Sequence, residues 1–341
     1  METNKRIIMK VFITGATSTI GNHLVSLLIN EGITLHLLVR DPKRISYLKH
    51  PNIHLFQGDI DSVDALTHAM RGCTHVFHLA ALTRVWERNP SRYYEVNVSG
   101  TLNVLNVAKE HGVKRVVITS SAGGYGPSIS SVVTEDKARE IGFFNDYECS
   151  KVLCELKAKE FSIEHQMDVV IVSPSRVYGP TLNAEVSSIT LLFDQYVNHN
   201  WRLIPGDGQE IGNYAYIEDV AQGHLLAMRH GKSGETYILG GHNITYNTFF
   251  SKLAYLSNIH RKMIHAPFFL QNTYAMFELF KARYLGRNAK ITPKWLAKGK
   301  YHWEVDSSKA VNTLGYKITP LEEAFNKTII FLKEKGHEKN H

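Results

Sequence analysis

The sequence has little cysteine and no long apolar run. Its 341 residues contain three cysteines, Cys73, Cys149 and Cys154, and none belongs to a C-x-x-C pair. This pattern indicates neither a zinc ribbon nor a disulfide framework, and so sparse a count favours a reducing compartment. Because no run of 18 apolar residues exists, no helix is expected to span a membrane, and we expect a cytoplasmic protein.

The charge is not strongly clustered in the sequence. Lysine and arginine number 39 and aspartate and glutamate 32, a net charge of +7, yet no block of five or more basic residues occurs. A dispersed excess favours solubility over a nucleic-acid partner, so none is expected. With 43% hydrophobic and 21% charged residues the composition is that of a folded protein, and the length predicts about two domains.

The two ends of the chain carry weaker signals. Residues 1–10 lack the apolar stretch of a signal peptide. Met9 directly precedes a strand-like run, so we expect either that residues 1–8 are a dispensable extension or that Met9 is the true start. The charged tail at 336–341 is expected to fray.

Strand-like and helix-like segments alternate in the first 175 residues. Runs rich in Val, Ile and Leu predict strands at 7–14, 34–39, 54–57, 75–80, 115–119 and 168–173. Segments with helical periodicity lie between them, at 20–31, 63–70, 98–111 and 147–165. This alternation predicts an α/β fold of the Rossmann type, a doubly wound parallel sheet.

The pattern changes after Pro174, where loops lengthen and helices dominate. We therefore expect a Rossmann domain at 1–175 and a smaller, mainly helical substrate-binding region at 176–335. Segments near 215–240 are expected to return to the first domain.

A glycine-containing segment joins the first predicted strand to the first predicted helix. Glycine lets a pyrophosphate approach the backbone, and the helix N-terminus offers free N–H groups and the positive end of the helix dipole. An ordinary tight turn is the alternative, since turns also use glycine. The position after the first strand favours a dinucleotide site. The expected contacts are Gly15, Thr17, Ser18, Thr19, Ile20 and Gly21.

The residue after the second predicted strand bears on which dinucleotide binds. An acidic residue at this edge accepts hydrogen bonds from the ribose 2′-hydroxyl of NAD(H). Here it is Arg40, followed by Lys43 and Arg44, and a guanidinium would pair with the 2′-phosphate of NADP(H). The rival interpretations are that Asp41 binds the 2′-hydroxyl or that Arg40 is a solvated loop charge. The pattern favours NADP(H), with NAD(H) as the alternative.

Tyr147 and Lys151 form a Y-x-x-x-K pair at the start of a predicted helix. A spacing of four places both side chains on one face of a helix. The neighbouring ammonium is expected to lower the pKa of the phenol from its ordinary value near 10, which would suit acid–base catalysis. The pair alone also arises by chance.

Together these segments resemble the extended short-chain dehydrogenase/reductase family, also called the NAD-dependent epimerase/dehydratase family. The resemblance covers nearly the whole chain and includes Thr14-Gly15-Ala16-Thr17 and Val177-Tyr178-Gly179-Pro180. One departure is Ser18, which replaces the family's middle glycine and allows the turn if its φ is negative. The resemblance implies a homodimer that pairs through the helices at 98–111 and 147–165.

The resemblance also implies roles for individual residues. It implies a catalytic triad of Ser121, Tyr147 and Lys151, in which the serine hydroxyl bonds the reacting oxygen. The alternative for Ser120 and Ser121 is a turn in which they bond their own backbone. Asp59 is also a candidate helix cap or turn residue. The implied cofactor contacts, besides Tyr147 and Lys151, are Asp59, Ile60, Leu79, Ala80, Ala81, Asn97, Thr119, Pro174 and Val177.

Departures from the family pattern bear on the substrate. Nucleotide-sugar members carry an arginine that binds the diphosphate, and the matching positions here are Gly212, Asn213 and Tyr214. Loss of this anchor argues against a nucleotide sugar, unless Arg176 or Arg202 substitutes for it. The aromatic C-terminal helices are instead similar to the dihydroflavonol reductase and 3β-hydroxysteroid dehydrogenase branch.

We expect an EC 1.1.1-type reductase or dehydrogenase that moves a hydride between the nicotinamide and a carbonyl or secondary alcohol of a small, apolar or polycyclic substrate. The alternatives are a nucleotide-sugar epimerase or dehydratase with retained NAD, and a protein that senses the cofactor without turnover. No metal site is expected, because His75 and His78 lie on opposite faces of a strand. Substrate contacts are expected at Thr83, Trp86, Ser121, Gly123 and Tyr178.

Aromatic residues are dense between 249 and 303. We expect most of them to be core or pocket wall. The alternative for 267–285 is an amphipathic helix that rests on a membrane, with Lys281, Arg283 and Arg287 at its end. The aromatic residues in question are Phe249, Phe250, Tyr255, Phe268, Phe269, Tyr274, Phe277, Phe280, Tyr284, Trp295 and Trp303.

Overall fold

The computed structural model describes residues 9–45, 47–181 and 186–338. For residues 337 and 338 it describes the backbone only. The expectations for residues 1–8 and for residues 339–341 lie outside these ranges. No helix within the ranges is long and apolar enough to cross a membrane.

The described residues form twelve strands, and seven of these make up the parallel sheet on which the fold is built. The strands are β1 (Lys10–Thr14), β2 (Thr34–Val39), β3 (Ile53–Gln57), β4 (His75–His78), β5 (Arg115–Thr119), β6 (Val169–Pro174), β7 (Arg176–Tyr178), β8 (Leu203–Pro205), β9 (Ile211–Tyr216), β10 (Thr236–Leu239), β11 (His242–Thr245) and β12 (Ile264–Ala266). The large sheet has the order β10-β6-β5-β4-β1-β2-β3. This confirms the expected doubly wound, Rossmann-type fold. The strand order reverses between β1 and β4, the point at which such sheets bind ligands.

Some of the helices cover the two faces of this sheet, and the others build the C-terminal region. The helices are α1 (Thr19–Asn30), α2 (Val63–Met70), α3 (Ser91–Tyr94), α4 (Gly100–Glu110), α5 (Asp146–Glu164), α6 (Ser188–Asn198), α7 (Ile217–His230), α8 (Tyr246–Ser257), α9 (Phe268–Leu285), α10 (Pro293–Ala297), α11 (Ser308–Leu314) and α12 (Leu321–Glu338). A π-helical turn, Glu95–Ser99, precedes α4. Strand side chains alternate between two buried layers, so Ile13 packs with Leu24 on one face and Phe12 packs with Leu66 on the other.

The C-terminal region has an aromatic core of its own. Its centre consists of Tyr178, Phe193, Tyr214, Phe249 and Phe325, all fully buried and in ring contact. Strands β7, β9 and β11 form one small sheet, and β8 pairs with β12. The segment between β9 and β11 returns to the large sheet: α7 packs against α1, and β10 pairs with β6 at the edge of that sheet. The division of the chain at residue 175 stays a prediction.

Helix α9 is mostly exposed. Among its residues only Ala275, Glu278 and Ala282 are buried. The expectation that most of the aromatic side chains between 249 and 303 form core or pocket wall is therefore wrong for six of the eleven named above. The exposed ones are Tyr255, Phe269, Tyr274, Phe277, Phe280 and Tyr284.

Candidate active site

The glycine loop packs tightly against the end of β4. Gly15 has a φ of +76°, and a Cβ added to it would lie 2.7 Å from the amide nitrogen of Ala80. Ser18 has a φ of −76°, and its hydroxyl accepts a hydrogen bond from the Gly21 amide at 3.0 Å, which caps α1. The serine that departs from the family pattern is thus accommodated by a negative φ. The close approach and the partly accessible helix N-terminus fit a dinucleotide pyrophosphate.

Two further segments with expected cofactor contacts follow strands of the same sheet, and one of them packs against this loop. The amides of Leu79 and Ala80 donate to the carbonyl and the hydroxyl of Thr14, at 3.1 and 3.2 Å. Asp59 accepts from the Ile60 amide at 2.8 Å. The cap of α2 is Ser62 rather than Asp59, so of the two local roles considered for Asp59 the structure shows the turn.

The end of β2 carries the residues expected at the ribose. Arg40 directly follows the strand and is exposed. Asp41 accepts a hydrogen bond from the Lys43 amide at 3.0 Å, so its carboxylate helps to hold the short turn Pro42–Ile45. This local hydrogen bond uses part of the hydrogen-bonding capacity of Asp41, which is the alternative to Arg40 as the residue that binds the ribose. The preference for NADP(H) stays a prediction.

Ser121, Tyr147 and Lys151 meet at the carboxyl end of β5. Tyr147 lies on the first turn of α5, which is capped by the side chain of Asn145, and the Ser121 side chain faces it closely enough to lower the pKa of its hydroxyl. The Ser121 hydroxyl also accepts from the Gly123 amide at 3.3 Å, so the local turn that we considered as an alternative coexists with the catalytic arrangement. Lys151 is buried one helical turn beyond Tyr147.

The electrostatics of this pair differ from the expectation. Burial raises the pKa of Tyr147, and the hydrogen bond from Ser121 offsets only part of this effect. Burial also lowers the pKa of Lys151. The ammonium of Lys151 donates to the carbonyl oxygen of Thr119 at 2.6 Å. The expected lowering of the pKa of Tyr147 by Lys151 is therefore wrong for this structure: burial raises this pKa, and Lys151 is not among the groups that shift it.

Asn97 joins the loop after β4 to the catalytic helix. Its side-chain oxygen accepts from the Leu82 amide at 2.7 Å, and its NH₂ group donates to the Leu82 carbonyl and to the Ser150 hydroxyl at 3.2 and 2.9 Å. The residue lies in the π-helical turn, a feature often found at functional sites. These bonds use both donors, so Asn97 is a positioning residue in this structure.

A buried ionic cluster behind Tyr147 was not predicted. Glu148 is 1% exposed and pairs with Arg139 at 2.8 Å and with Lys298 at 2.6 Å. Arg139 also donates to the carbonyls of Gly123 and Gly124, at 3.1 and 3.0 Å. The cluster therefore fastens the loop after Ser121 to α5. Glu148 and Lys298 are 150 positions apart, so no local sequence signal could have joined them.

Two buried histidines support the same region. His78 bonds the hydroxyls of Thr14 and Thr101 at 2.7 and 2.9 Å, and burial lowers its pKa to about 3. His224 bonds the Thr119 hydroxyl at 2.9 Å, and burial lowers its pKa to about 4. Within the described part of the chain no group of three or more His, Cys, Asp or Glu residues could hold a metal ion.

A cleft of about 480 Å³ is lined in part by Asn145 and Asp146, which directly precede Tyr147 in the chain. Trp86, Tyr93 and Leu279 contribute to its lining, and the ring of Tyr93 lies edge-on to that of Tyr147 with 6.5 Å between centroids. Trp86 is thus placed where a substrate contact was expected. Tyr178 is not, since it is fully buried in the aromatic core; the expectation that it contacts the substrate is wrong.

A half-buried cation occupies the place where the family arginine was sought. A Cβ added to Gly212 would overlap the guanidinium of Arg176, which comes from the neighbouring strand. Arg176 donates to the Tyr246 hydroxyl at 3.2 Å and lies 5.8 Å from the ring centroid of Tyr214. Of the two substitutes considered, Arg176 therefore fills this place, whereas Arg202 is exposed.

Comparison with known proteins agrees with this geometry. The family model described as "NAD dependent epimerase/dehydratase family" matches residues 11–240. The chain belongs to this family. Among curated relatives of this epimerase/dehydratase-family protein, a putative dihydroflavonol 4-reductase from Synechocystis sp. is 30% identical, with 99% of each chain covered. Tetraketide alpha-pyrone reductase 1 from Arabidopsis thaliana is 28% identical, with 96% of each covered.

Solved structures of similar fold include an epimerase. The crystal structure of gox2253 has a TM-score of 0.79 at 28% identity, with 96% of this chain and 98% of that chain covered. A UDP-glucose 4-epimerase from Thermotoga maritima, solved with UDP-glucose, has a TM-score of 0.75 at 22% identity, with 96% and 99% covered. The second likeness shows the fold alone.

Proposed function

We propose that this protein is an NAD(P)-dependent oxidoreductase that moves a hydride between the nicotinamide and a carbonyl or secondary alcohol of a small, apolar or polycyclic substrate. The observation that carries the proposal is the convergence of Ser121, Tyr147 and Lys151 at the carboxyl end of β5, next to the cleft residues Tyr93 and Asp146. The reductase names of the relatives support it. The cofactor supplies the hydride donor or acceptor.

The chain's own groups orient the substrate oxygen and move its proton. In the direction of reduction, Tyr147 gives its proton to the substrate oxygen while the Ser121 hydroxyl donates a second hydrogen bond to it. Because burial raises the pKa of Tyr147, its hydroxyl is protonated at neutral pH and can donate. The buried ammonium of Lys151, held by the Thr119 carbonyl, stabilises the phenolate left behind. Oxidation reverses the proton's direction.

An absorbance assay of NADPH with a panel of polycyclic and linear ketones and aldehydes tests this proposal. We expect at least one polycyclic carbonyl compound to be reduced, and the Tyr147→Phe variant to bind NADPH without turnover. Equal activity of the two proteins would contradict the assignment of Tyr147. Binding of NADPH with no reduction of any carbonyl compound would favour a cofactor-sensing protein.

We also propose that NADP(H) is the preferred cofactor, held by Arg40 together with Lys43 and Arg44. Side-by-side titrations with NADPH and NADH are expected to show tighter binding of NADPH. Arg40→Ala should weaken NADPH about tenfold or more and leave NADH unchanged, because only NADPH carries the 2′-phosphate. The matched variant Asp41→Asn tests the rival, since a selective loss of NADH binding would assign the ribose to Asp41.

A nucleotide-sugar epimerase or dehydratase with retained NAD is the second candidate. The observation in its favour is the guanidinium of Arg176, which supplies a cation where residue 212 has none. Purified protein that carries tightly bound NAD(H) and is stabilised against heat by UDP would support this candidate. Loss of the UDP effect in Arg176→Met would assign the diphosphate to that residue.

We further propose that the protein is a cytoplasmic homodimer that pairs through α4 and α5. On α5 the side chains of Leu156 and Ile163 are 52% and 80% exposed. Light scattering is expected to give the mass of two chains, and Ile163→Lys should lower it to one.

A further inference from the structure

Helix α9 presents a broad apolar face to solvent. At 3.6 residues per turn this face covers about half of the helix circumference, opposite the stripe of Ala275, Glu278 and Ala282 that faces the body. So continuous an exposed patch marks an interaction surface rather than the scattered apolar residues of an ordinary surface. Eight large side chains, each 50–67% exposed, make up the face: Phe269, Leu270, Tyr274, Met276, Phe277, Phe280, Tyr284 and Leu285.

The same segment holds most of the net charge of the protein, so the expectation of a dispersed basic excess is wrong. Residues 268–300 contain seven lysines and arginines and a single acid, Glu278, which is buried and paired with Lys281. The net charge of the segment is thus +6, against +7 for the whole chain. Five of its cations are exposed and have no carboxylate within 4.0 Å in the described ranges: Arg283, Arg287, Lys290, Lys294 and Lys300.

We propose that α9 is an interfacial helix that docks this protein on an anionic lipid bilayer. The eight apolar side chains enter the boundary between headgroups and acyl chains, and the exposed cations contact the anionic headgroups. Tyr274 and Tyr284 suit this depth because a tyrosine ring is apolar and its hydroxyl is polar. The helix lies on the bilayer and does not cross it.

The charge argues against a second copy of the chain as the occupant. A two-fold contact through α9 would place the same cationic segment of both copies together. The only acid in the segment, Glu278, is buried and already paired, so it could not offset the repulsion. An anionic bilayer meets both features of the surface at once.

The position of α9 relative to the cleft adds to the proposal. Leu279 and Arg283, on the edge of the helix, line the cleft together with Trp86 and Arg88. Arg88 donates to the Arg283 carbonyl at 3.0 Å, which ties the loop after β4 to the end of the helix. Docking through α9 therefore brings this side of the cleft towards the lipid. The proposal rests on the surface and not on hydride transfer.

Flotation of the full chain with lipid vesicles tests the proposal. We expect binding to vesicles of equal phosphatidylcholine and phosphatidylglycerol, weaker binding to phosphatidylcholine alone, and a loss with added salt. Phe277→Ser with Phe280→Ser should weaken binding about tenfold or more, since two large apolar groups leave the lipid. Arg287→Ser with Lys290→Ser should weaken binding to the anionic vesicles about tenfold and leave phosphatidylcholine unaffected. Tyr255→Ser, which removes a 76% exposed aromatic residue from α8, is the matched control and should bind unchanged.

The proposal is overturned if the unaltered protein does not float with the mixed vesicles, or if Tyr255→Ser weakens binding as much as the α9 variant. It is also overturned if light scattering without lipid shows an assembly that the α9 variant dissociates, which would make the face a contact between copies. Phe280→Trp gives a readout that does not depend on the double variant folding. Its fluorescence should shift to the blue with mixed vesicles and be quenched by brominated lipid; an unchanged spectrum counts against the proposal.

Discussion

Helices α5 and α9 have nearly the same length and border the same cleft, but they distribute their residues in opposite ways. The 19 residues of α5 bury Glu148, Ser150 and Lys151, each 3% exposed or less. The 18 residues of α9 expose eight large apolar side chains and bury two alanines and one acid. The buried polar groups of α5 are paired with groups elsewhere in the chain, whereas each large side chain on the apolar face of α9 is at least half exposed. What a helix buries thus depends on what its side chains bind, not on their hydrophobicity alone.

The largest expected effect concerns the chemistry of α5. Tyr147→Phe removes the transferred proton, so kcat should fall by about 10²–10⁴-fold while the affinity for NADPH stays the same. Tyr93→Phe is the matched control in the same cleft, because the hydroxyl of Tyr93 bonds the Arg84 carbonyl and not Ser121. Steady-state kinetics and a cofactor titration measure both. If kcat falls by less than tenfold in Tyr147→Phe, Tyr147 is not the residue that transfers the proton.

The next effect concerns the charges that α5 buries. Glu148→Gln leaves Arg139 and Lys298 without their common carboxylate, so the free energy of unfolding should fall by about 3–5 kcal/mol. Glu160→Gln, on the solvent side of α5, breaks an exposed pair with Lys157 and should cost about 0–1 kcal/mol. Denaturant titration of both variants measures the difference. Equal costs would mean that the buried cluster is not held together by Glu148.

A pH dependence is expected from the interior beneath α5. The unfolded chain protonates its histidines near pH 6.5, whereas the folded chain holds His78 neutral to about pH 3 and His224 to about pH 4. The unfolded state therefore binds more protons in this window, and stability should fall on acidification below pH 6.5 by about 1.4 kcal/mol per pH unit for each histidine. Denaturant titrations at pH 7 and 5.5 should show a smaller fall for His224→Gln. His224 and His230 both lie on α7, and His230 is exposed at its end. His230→Gln should therefore leave the loss of stability on acidification unchanged.

The smallest expected effect is on the outer face of α9. Phe277→Ala should change the free energy of unfolding by less than about 0.5 kcal/mol, because the ring is 58% exposed. Phe249→Ala, in the aromatic core, should cost about 3–5 kcal/mol. Thermal or denaturant unfolding compares the two. A large cost for Phe277→Ala would mean that this face is covered within the folded chain, and the contrast with α5 would disappear.

The parts of the site that could be predicted from sequence are those fixed by near neighbours. The turn at Gly15 and the spacing of Tyr147 and Lys151 depend on one strand end and one helix start. The ion pair of Glu148 with Lys298 depends on a segment that arrives 150 positions later. The direction of the pKa shift of Tyr147 depends on burial, which the motif does not contain.

The orientation of α9 and the origin of the cation beside Gly212 could not be predicted from sequence either, because both depend on how distant segments pack. Aromatic residues at helical spacing have the same pattern whether they face a core or solvent. A guanidinium can reach the same space from β7 as from β9, and only the pairing of these strands reveals that Arg176 does so.

The overlap between Arg176 and position 212 makes the two positions interdependent. Any side chain added at Gly212 would have to move the guanidinium away from Tyr246, and loss of Arg176 would leave a space that glycine cannot fill. Any side chain at position 212, and a small side chain at position 176, should therefore be poorly tolerated, while a paired exchange that moves the large side chain from β7 to β9 restores the packing. Among chains of this fold, arginine at the one position and glycine at the other should be inherited together.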